Sequence, residues 1–353
     1  MATPKDNISL HVDETLSYSV KHGLEWQDPK DGEFLVETYF SGANPSDTKH
    51  ATDMGIYPVV LGYDYCGKVL KTPPNSPFQP GQIVAGYTQT GLGRPLRYGT
   101  HQKYLSGVTE TAFVVPENLP KQHAACLGVV TMTASDAIFN HFQIPLPTEP
   151  AQNLGPLLIW GVSTSVGISA LQLARASGIS PIFVTASPER HALLRELGAT
   201  HCFDYKSPTV VSEIKEALKT TESGAFRYAL DAIGARQDGG SAQSIAACSS
   251  DETALASVVV QFDPRFKLPL AAPNQDVSVQ IQGIPQPITI PARYADYERA
   301  WKGVLWAAEN YGKQFRFPSV KVFKGTAEEA LEELKVVGDH GRGFGKLALQ
   351  HPL

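Results

Sequence analysis

The sequence predicts an α/β protein of two domains, a β-rich barrel and a doubly wound parallel sheet. Before about residue 125, short strands alternate with turns that contain glycine and proline. From about residue 157 to about residue 260, apolar strands alternate with helices, a pattern typical of a parallel sheet covered by helices. A chain of 353 residues, 42% of them hydrophobic, is long enough for two separate cores.

The outer parts of the chain carry the barrel pattern. Residues 32–40 alternate apolar and polar side chains, and residues 61–70 are punctuated by glycine, as expected of short strands and turns. Apolar residues at helical spacing predict a helix over 327–336, and residues 346–349 predict a strand that returns to the first domain. We therefore expect the barrel domain in residues 1–130 and 315–353, and the nucleotide-binding domain in residues 131–314.

The middle of the chain carries the alternating pattern. Strands are predicted over 157–162, 181–186 and 228–234. Helices are predicted from residue 168 to Gly178, over 190–197 with a stop at Gly198, and over 209–219.

The turn after the strand 157–162 predicts a site for a dinucleotide pyrophosphate. A helix N-terminus offers unpaired N–H groups and partial positive charge, so a phosphate can bind there when the turn leaves room. Gly161 and Gly167 leave that room, whereas Thr164 and Ser165 stand where a glycine fingerprint would have glycines. The alternative is an ordinary buried turn between a strand and a helix.

The end of the next strand indicates which dinucleotide binds. NAD-binding folds usually place an acid there, on the ribose 2′-hydroxyl. No acid stands at this strand end, and the residues that follow are Ser187, Pro188, Glu189 and Arg190. Because Ser187 can donate to a 2′-phosphate and Arg190 can pair with it, NADPH is favoured over NADH. The same residues fit a helix N-cap with proline in the first turn, and both interpretations can hold together.

Composition and charge argue against several other classes of protein. A net charge of −5 and a pI near 6.1, without a Lys/Arg cluster, argue against nucleic-acid binding. No apolar run approaches the roughly 20 residues that a membrane helix needs, and the N-terminus lacks the pattern of a signal peptide, so we expect a cytoplasmic protein. The four cysteines are scattered without C-x-x-C spacing, which supports neither a zinc site nor a disulfide framework.

An ordered set of motifs resembles the medium-chain dehydrogenase/reductase superfamily over nearly the whole chain. The motifs are Ala43-Asn44-Pro45-Ser46-Asp47, Gly62-Tyr63-Asp64-Tyr65-Cys66-Gly67-Lys68-Val69, Pro80-Gly81-Gln82-Ile83-Val84, Gly99-Thr100-His101-Gln102-Lys103-Tyr104 and Leu197-Gly198-Ala199. The resemblance implies a GroES-like barrel and a Rossmann domain, with the cofactor in the cleft between them. In the superfamily's zinc alcohol dehydrogenases, a cysteine ligand lies near the position of Asn44 and a Gly-His-Glu near residues 62–64. Both ligand positions differ here, so the resemblance is to the quinone and enoyl reductases that bind no metal.

Within that superfamily, the chain is similar to the fungal trans-acting enoyl reductases of polyketide synthases. The similarity lies in residues 44–49, 62–65, 161–165, 187–188 and 227–231. It implies NADPH-dependent reduction of an α,β-unsaturated polyketide thioester that is held on the acyl carrier protein of a polyketide synthase. It also favours a monomer over a homodimer. Residues 248–294 depart from the family in length.

The resemblance also implies which residues form the site. Lys49 would contact the nicotinamide ribose or the thioester, and Thr133 is a second catalytic candidate. With Gly161 and residues 187–190, the cofactor would be lined by Ser46, Asp47, Thr48, Lys49, Ser163, Thr164, Ser165, Val166, Tyr205, Gly343 and Phe344. The substrate would lie against Thr133, Ala134, Ser135, Asp136, Ala137, Ile138, Phe139, Asn140, Gln282, Gly283, Ile284, Pro285 and Gln286.

Each of these roles has a structural alternative. Lys49 could be a solvated surface charge, and Thr133 a helix cap, with Thr131 and Ser135 as competing caps. Tyr205 could be an aromatic packed at a strand end. Residues 282–287 could be a surface loop.

The proposed chemistry needs few groups from the protein. Enoyl thioester reduction needs a hydride at the β-carbon, stabilisation of the enolate oxygen and a proton at the α-carbon, and no metal if hydrogen-bond donors face the thioester oxygen. Two other functions stay open: a free-standing quinone or enone reductase, and a non-catalytic NADPH-binding accessory protein.

Two further expectations concern partners. Quinone-reductase relatives dimerise through an exposed edge strand, for which residues 257–261 are the candidate. Basic residues on loops of an otherwise acidic chain suggest a docking surface for an acidic carrier protein that includes Arg94, Arg97, Arg293 and Lys302.

Overall fold

The computed structural model describes residues 7–353 except Arg236, Asp238, Ala272, Arg342, Gly343 and the side chain of His340. The chain forms two compact units. The first comprises Met1–Val129, Pro273–Tyr294 and Phe317–Leu353, and the second comprises Val130–Ala272 and Ala295–Arg316. Residues 273–294 therefore lie in the first unit, whereas the sequence-based division assigned them to the nucleotide-binding domain.

The N-terminal part of the chain supplies most of the β-structure of the first unit. Its helices are α1 (Ser46–Met54) and α2 (Lys121–Ala124). Its strands are β1 (Ser9–Val12), β2 (Tyr18–Lys21), β3 (Glu33–Gly42), β4 (Val59–Val60), β5 (Asp64–Lys71), β6 (Ile83–Tyr87), β7 (Tyr104–Val108) and β8 (Ala112–Val114).

The second unit is built on a parallel sheet. Helix α3 (Gly128–Ser135) leads into it and continues as a π-helical segment, Asp136–His141. Six strands follow: β9 (Leu157–Trp160), β10 (Ile182–Thr185), β11 (His201–Phe203), β12 (Tyr228–Asp231), β13 (Ala254–Ser257) and β14 (Phe266–Lys267). They pair in the order β11-β10-β9-β12-β13-β14. The helices between them are α4 (Ser165–Ala176), α5 (His191–Leu197), α6 (Val210–Lys219) and α7 (Ser241–Cys248).

The C-terminal part returns the chain to the first unit. Strands β15 (Val277–Val279) and β16 (Ile288–Ile290) form an antiparallel hairpin. Helix α8 (Tyr294–Glu309) then lies almost wholly in the second unit, and β17 (Val320–Phe323), α9 (Ala327–His340) and β18 (Lys346–Gln350) follow. Ala348 of β18 pairs with Gly42 of β3, so the predicted return of the last strand is confirmed.

The sheets of the first unit are mainly antiparallel. One has the order β2-β1-β4, and the larger has the order β17-β18-β3-β5-β6-β8 with β7 paired to β3. A β-rich unit and a six-stranded parallel unit confirm the predicted α/β class. The core of the first unit includes Leu10, Ile56, Leu61 and Leu334, and that of the second includes Leu158, Phe183, Ile214 and Ile245.

The predicted edge strand over residues 257–261 is wrong. Strand β13 ends at Ser257 and is paired on both sides, with β12 and with β14. Residues 258–261 are not in a strand. The sheet edges in the described part of the second unit are β11 and β14.

Helix α9 offers a matched test of the first unit's core. Leu334 is fully buried in that core, whereas Val336, two residues on, is 47% exposed. Leu334→Ala removes buried methyl groups and leaves a cavity, so we expect a loss of about 2–5 kcal/mol of unfolding free energy. Val336→Ala should cost less than about 0.5 kcal/mol. Urea unfolding followed by circular dichroism measures both, and equal losses would contradict the assigned packing of α9.

Candidate functional site

The turn between β9 and α4 has the geometry of a phosphate-binding turn. Gly161 has φ +76, and a Cβ there would lie 2.3 Å from Cγ1 of Ile233. A Cβ on Gly167 would lie 2.7 Å from Cα of Val162, so only glycine lets α4 approach β9 this closely. Thr164 caps α4 by accepting a hydrogen bond from the Gly167 N–H at 3.0 Å. The buried Ser163 Oγ has no partner among the described residues, which leaves a polar atom available to a ligand.

Neighbouring polar side chains hold this turn in place. Thr185 Oγ1 accepts a hydrogen bond from the Gly161 N–H at 2.9 Å. Asp231 Oδ1 accepts from the N–H groups of Ile233 and Gly234, and Asp231 Oδ2 accepts from Ser257 Oγ at 3.2 Å. The turn after β9 is therefore held by the ends of β10, β12 and β13, which lie on both sides of β9. These observations fit a bound dinucleotide.

Parallel pairing brings the predicted cofactor residues Ser187 and Tyr205 to the same edge of the sheet. Strand β9 lies between β10 and β12, where the strand order reverses, and ligands of such sheets bind at this edge. Thr185 of β10 pairs with Phe203 of β11, so Ser187 and Tyr205 follow neighbouring strand ends. Tyr205 is 45% exposed, which argues against ordinary core packing.

The residues after β10 favour the phosphate role of Ser187. Pro188, Glu189 and Arg190 form a 3₁₀ turn before α5, with Ser187 at its N-cap position. The Ser187 side chain makes no capping hydrogen bond, so the capping interpretation of its hydroxyl is not observed. Glu189 is exposed, and its Oε1 atom lies 3.8 Å from Nε of Arg190.

Helix α1 carries the predicted residues Ser46, Asp47, Thr48 and Lys49, and their exposure differs. Lys49 is exposed and Ser46 is half-buried, whereas Asp47 and Thr48 are buried. Asp47 Oδ2 accepts from the Asn44 N–H at 2.8 Å and lies 3.0 Å from Nε2 of His101. The Asp47 carboxylate thus anchors the start of α1 within the unit.

A buried chain of polar groups extends from this anchor. His101 Nδ1 lies 2.8 Å from Ser41 Oγ, which lies 2.8 Å from His351 Nε2. Burial, together with the nearby His101, lowers the pKa of His351 to about 3, so that imidazole is neutral at pH 7. This series of hydrogen-bonded side chains connects the residue after β18 with β3 and with α1.

A second buried cluster, Asn44–Asp64–Lys346, includes two of the positions where the resemblance implies ligands in the zinc relatives. Lys346 Nζ donates to Asn44 Oδ1 at 2.6 Å and to the Ala43 carbonyl at 2.9 Å. Asn44 Nδ2 donates to Asp64 Oδ2 at 2.9 Å, and Asp64 Oδ1 accepts from the Val129 N–H at 2.8 Å. Burial raises the pKa of Asp64 to about 6, and the Lys346 ammonium opposes that rise.

This donor set does not match a zinc site. An amide, a phenol and a carboxyl occupy the ligand positions, and the Lys346 ammonium lies 4.0 Å from Asp64 Oδ2. In the described ranges, no three His, Cys, Asp or Glu side chains are grouped to hold a metal ion. The absence of a metal stays a prediction.

A third cluster, His50–Tyr63–Thr90, was not predicted. The Tyr63 hydroxyl lies 2.9 Å from His50 Nδ1 and 3.1 Å from Thr90 Oγ1, and Thr90 Oγ1 lies 3.2 Å from His50 Nδ1. The Arg94 guanidinium lies 4.3 Å from the centre of the Tyr63 ring. Burial and the Arg94 charge lower the pKa of His50 to about 4, against the opposing carboxylates of Asp47 and Asp53.

The predicted substrate residues divide between the two units. Thr133 lies inside α3 rather than at its start, so the alternative of a helix cap is wrong for Thr133 and Thr131. Ser135 precedes the π-helical segment but makes no capping hydrogen bond. Thr133 and Asn140 are half-buried, whereas residues 134–139 are buried. In that interior, Asp136 accepts hydrogen bonds from the Leu270 N–H and from Asn140.

The remaining predicted residues lie in the first unit. Residues 282–286 are exposed and form the loop between β15 and β16, in agreement with the surface-loop alternative. Phe344 is half-buried and lies two residues before the start of β18. Gly343 lies outside the described residues. The cofactor and substrate roles of all these positions stay predictions.

The prediction of a basic docking surface is wrong for two of its four residues, Arg94 and Arg97, whose charges are used within the first unit. Arg94 is 6% exposed, and its guanidinium donates to carbonyls of Gln89, Val60 and Gly62. Arg97 pairs with Glu33 at 2.8 Å. Arg293 is half-buried in the first unit, and Lys302 is exposed in the second. The glycine-rich loop around Arg94 suggested exposure, but its carbonyl groups turn inward to the cation.

Lys346 gives a direct test of the Asn44–Asp64–Lys346 cluster. Because the folded pKa of Asp64 lies above its ordinary value of 3.8, ionisation of Asp64 reduces stability as the pH rises from about 4 through about 6. Lys346→Met removes the ammonium that favours the carboxylate, so the pKa of Asp64 should move above about 6. Carboxyl ¹³C NMR titration measures the shift. Lys335→Met, at a half-buried position of α9 that pairs with Glu332, is the control, and an unchanged or lowered Asp64 pKa in Lys346→Met would contradict the cluster.

Comparisons with known proteins agree with this architecture. The family "Alcohol dehydrogenase GroES-like domain" matches residues 30–121, and the family "Zinc-binding dehydrogenase" matches residues 165–257. The quinone oxidoreductase from Coxiella burnetii shares the fold, with a TM-score of 0.66, 20% identity and coverage of 98% of this chain and 99% of that one.

Two sequence relatives are named trans-enoyl reductases. The trans-enoyl reductase himH of Aspergillus japonicus is 31% identical over 207 residues, 57% of this chain and 59% of himH, so the match spans less than two thirds of that relative. The trans-enoyl reductase mpsG of Macrophomina phaseolina (strain MS6) is 27% identical over 322 residues, 87% of this chain and 86% of mpsG. Since both domain families match in the predicted order and the fold agrees, the chain belongs to the medium-chain dehydrogenase/reductase superfamily.

Proposed function

We propose that this protein is a trans-acting enoyl reductase. It would use NADPH to reduce an α,β-unsaturated polyketide thioester on the acyl carrier protein of a polyketide synthase, in secondary metabolism. The observation that carries the proposal is the similarity to proteins named trans-enoyl reductases, which for mpsG extends over 86% of the relative. The exposed Lys49 on α1, where the resemblance implies a catalytic lysine, supports it.

The superfamily uses a nicotinamide dinucleotide, and the second unit fits one. The Gly161 turn and the N-terminus of α4 would hold the pyrophosphate, with Ser163 Oγ as a further hydrogen-bond group. Ser187 and Arg190 would bind the 2′-phosphate that distinguishes NADPH from NADH, and the exposed Tyr205 would lie near the adenine. When bound, this cofactor supplies the hydride that adds to the β-carbon of the substrate.

The side chains of this protein would stabilise the charge that develops on the substrate and position the reacting groups. As the β-carbon accepts hydride, negative charge develops on the thioester oxygen, and donors aimed at that oxygen lower the barrier. The Lys49 ammonium and the Thr133 hydroxyl would bind and orient the reacting groups. The Asn44–Asp64–Lys346 cluster would fix the start of α1 and so the position of Lys49.

The experiment that tests the proposal is a substrate comparison. Oxidation of NADPH is followed with an α-methyl enoyl thioester of pantetheine, with the same acyl group on an acyl carrier protein, and with a simple quinone. The proposal expects turnover of the thioesters, faster on the carrier, and little activity with NADH. Turnover of the quinone alone would identify a free-standing reductase, and NADPH binding without any turnover would identify an accessory protein.

Arg190 tests the choice of cofactor. Because a guanidinium–phosphate pair is worth about 1.5–3 kcal/mol, Arg190→Ala should weaken NADPH binding by roughly tenfold or more and leave NADH binding unchanged. Titration of protein fluorescence with each cofactor measures the affinities. Arg195→Ala, an exposed arginine on α5, is the matched control. Equal losses for NADPH and NADH would exclude a 2′-phosphate contact.

Lys49 tests the catalytic site. If its ammonium acts on the reacting centre, Lys49→Ala should lower kcat with the enoyl thioester by about 10²-fold and change NADPH affinity little. Thr52→Ala, at an exposed position of the same helix, is the control. Matching losses in kcat and NADPH affinity would instead make Lys49 a cofactor clamp.

A further inference from the structure

The His50–Tyr63–Thr90 cluster lies beside the predicted catalytic lysine and has no role in the mechanism above. His50 follows Lys49 on α1, and Ser46, Lys49 and His50 stand at positions i, i+3 and i+4 of that helix. Side chains at this spacing share one helix face. None of the three is buried, whereas Asp47, Thr48 and Ala51 of the same helix are. His50 therefore lies on the face that carries two of the predicted site residues.

The cluster places two hydroxyl groups against one ring nitrogen of His50. Two hydroxyls, those of Tyr63 and Thr90, lie within 3.2 Å of Nδ1. Burial raises the pKa of Tyr63, so its hydroxyl stays protonated, and a phenol is a stronger hydrogen-bond donor than an alcohol. In the arrangement that we propose, Tyr63 donates to Nδ1, which leaves the proton of the neutral imidazole on Nε2.

The Nε2–H group has no partner within the described part of the chain. All hydrogen bonds of His50 in that part run through Nδ1 or the backbone. The imidazole is half-buried and, with a pKa of about 4, neutral at pH 7. A neutral imidazole held in one tautomer is a suitable electrophile for a carbonyl oxygen, because it donates a hydrogen bond without a desolvated charge.

We propose that His50 donates a hydrogen bond from Nε2 to the thioester carbonyl oxygen of the substrate, and that Tyr63 and Thr90 are the positioning residues that hold it in this tautomer. The proposal rests on the proposed enoyl reductase function and adds a catalytic residue to it. As hydride adds to the β-carbon, the electron pair of the C=C bond shifts and negative charge grows on the carbonyl oxygen. The Nε2–H bond stays intact and stabilises that charge.

The ring packing supports this assignment. The rings of His50 and Tyr63 meet edge to face, with centroids 5.2 Å apart and an interplanar angle of 63°. Tyr63 is itself held between this contact and the Arg94 guanidinium, whose donors bond backbone carbonyls and the Thr88 hydroxyl. The imidazole is thereby positioned by groups that are fixed before any ligand binds, as a preorganised donor requires.

The test combines kinetics with two spectroscopic measurements. His50→Phe keeps the ring contact and removes the donor, so kcat with the enoyl thioester should fall by about 10²-fold while NADPH affinity holds. His50→Gln restores an N–H donor and should recover at least part of that loss. His22→Phe, an exposed histidine of the first unit, is the control and should match the wild type.

The spectroscopic readouts separate a catalytic role from a structural one. Ring ¹⁵N NMR of the ligand-free protein should show His50 as the Nε2–H tautomer, and Tyr63→Phe should mix the two tautomers. The infrared C=O band of a bound, saturated ¹³C-carbonyl acyl pantetheine should lie at lower frequency in the wild type than in His50→Phe.

The possible outcomes are distinct. Wild-type kcat in His50→Phe, an Nδ1–H tautomer or an unchanged C=O band would each overturn the role of His50 and leave the reductase function standing. A wild-type protein that reduces no enoyl thioester would overturn the proposed function, and the role of His50 with it.

Discussion

The geometry of the first unit depends on the buried ammonium of Lys346. A buried lysine is stable only if its charge is paired or hydrogen-bonded, and removing one partner of a buried pair typically costs about 3–5 kcal/mol. The Lys346 ammonium donates to the Ala43 carbonyl and to the Asn44 side-chain oxygen, and the Asn44 side-chain nitrogen donates to Asp64. Asp64 in turn accepts from the Val129 N–H at the start of α3. One cation thus fixes β18, the start of α1, β5 and the start of α3.

In the second unit, the corresponding constraint is a set of hydrogen bonds at the carboxyl ends of the strands. The sharp turn at Gly161 is held because the Gly161 N–H donates to the Thr185 hydroxyl. The Ile233 side chain packs where a Cβ on Gly161 would lie. The Asp231 carboxylate accepts hydrogen bonds from the N–H groups of Ile233 and Gly234, and the Ser257 hydroxyl donates to that carboxylate. The polar ends of β10, β12 and β13 therefore support a turn whose own signature in the sequence is incomplete. This turn keeps its backbone geometry without two fingerprint glycines because its neighbours fix the backbone.

Local patterns in the sequence were enough to predict the fold. The stop of α5 at Gly198, with φ +119, and the strand 346–349 that returns to β3 follow from signals within a few residues. The hairpin β15–β16 was assigned to the wrong unit because its weak strand pattern carries no information on where it packs. Its Val277 and Val279 complete the core that contains Ile56 and Leu61.

The side-chain clusters could not be predicted because their members are distant in sequence. Lys346 and Asn44 are separated by 302 residues, and Thr90 and His50 by 40. Arg94 was expected on the surface since it stands in a loop between glycines, yet it is buried among carbonyl groups. The positions of Asn44, Tyr63 and Asp64 were noticed only as departures from a zinc-ligand pattern.

Those departures have a common physical consequence. Where a metal would bind and polarise a substrate oxygen, this chain has an amide–carboxylate–ammonium cluster and a phenol. The ammonium in that cluster is already committed to backbone and amide oxygens, so it cannot serve as the electrophile. In the role proposed for His50, Tyr63 would donate to its Nδ1, and a neutral N–H on the face of α1 that also carries Lys49 would polarise the substrate oxygen. Burial and Arg94 keep that imidazole uncharged, so the positive charge on this face is that of Lys49.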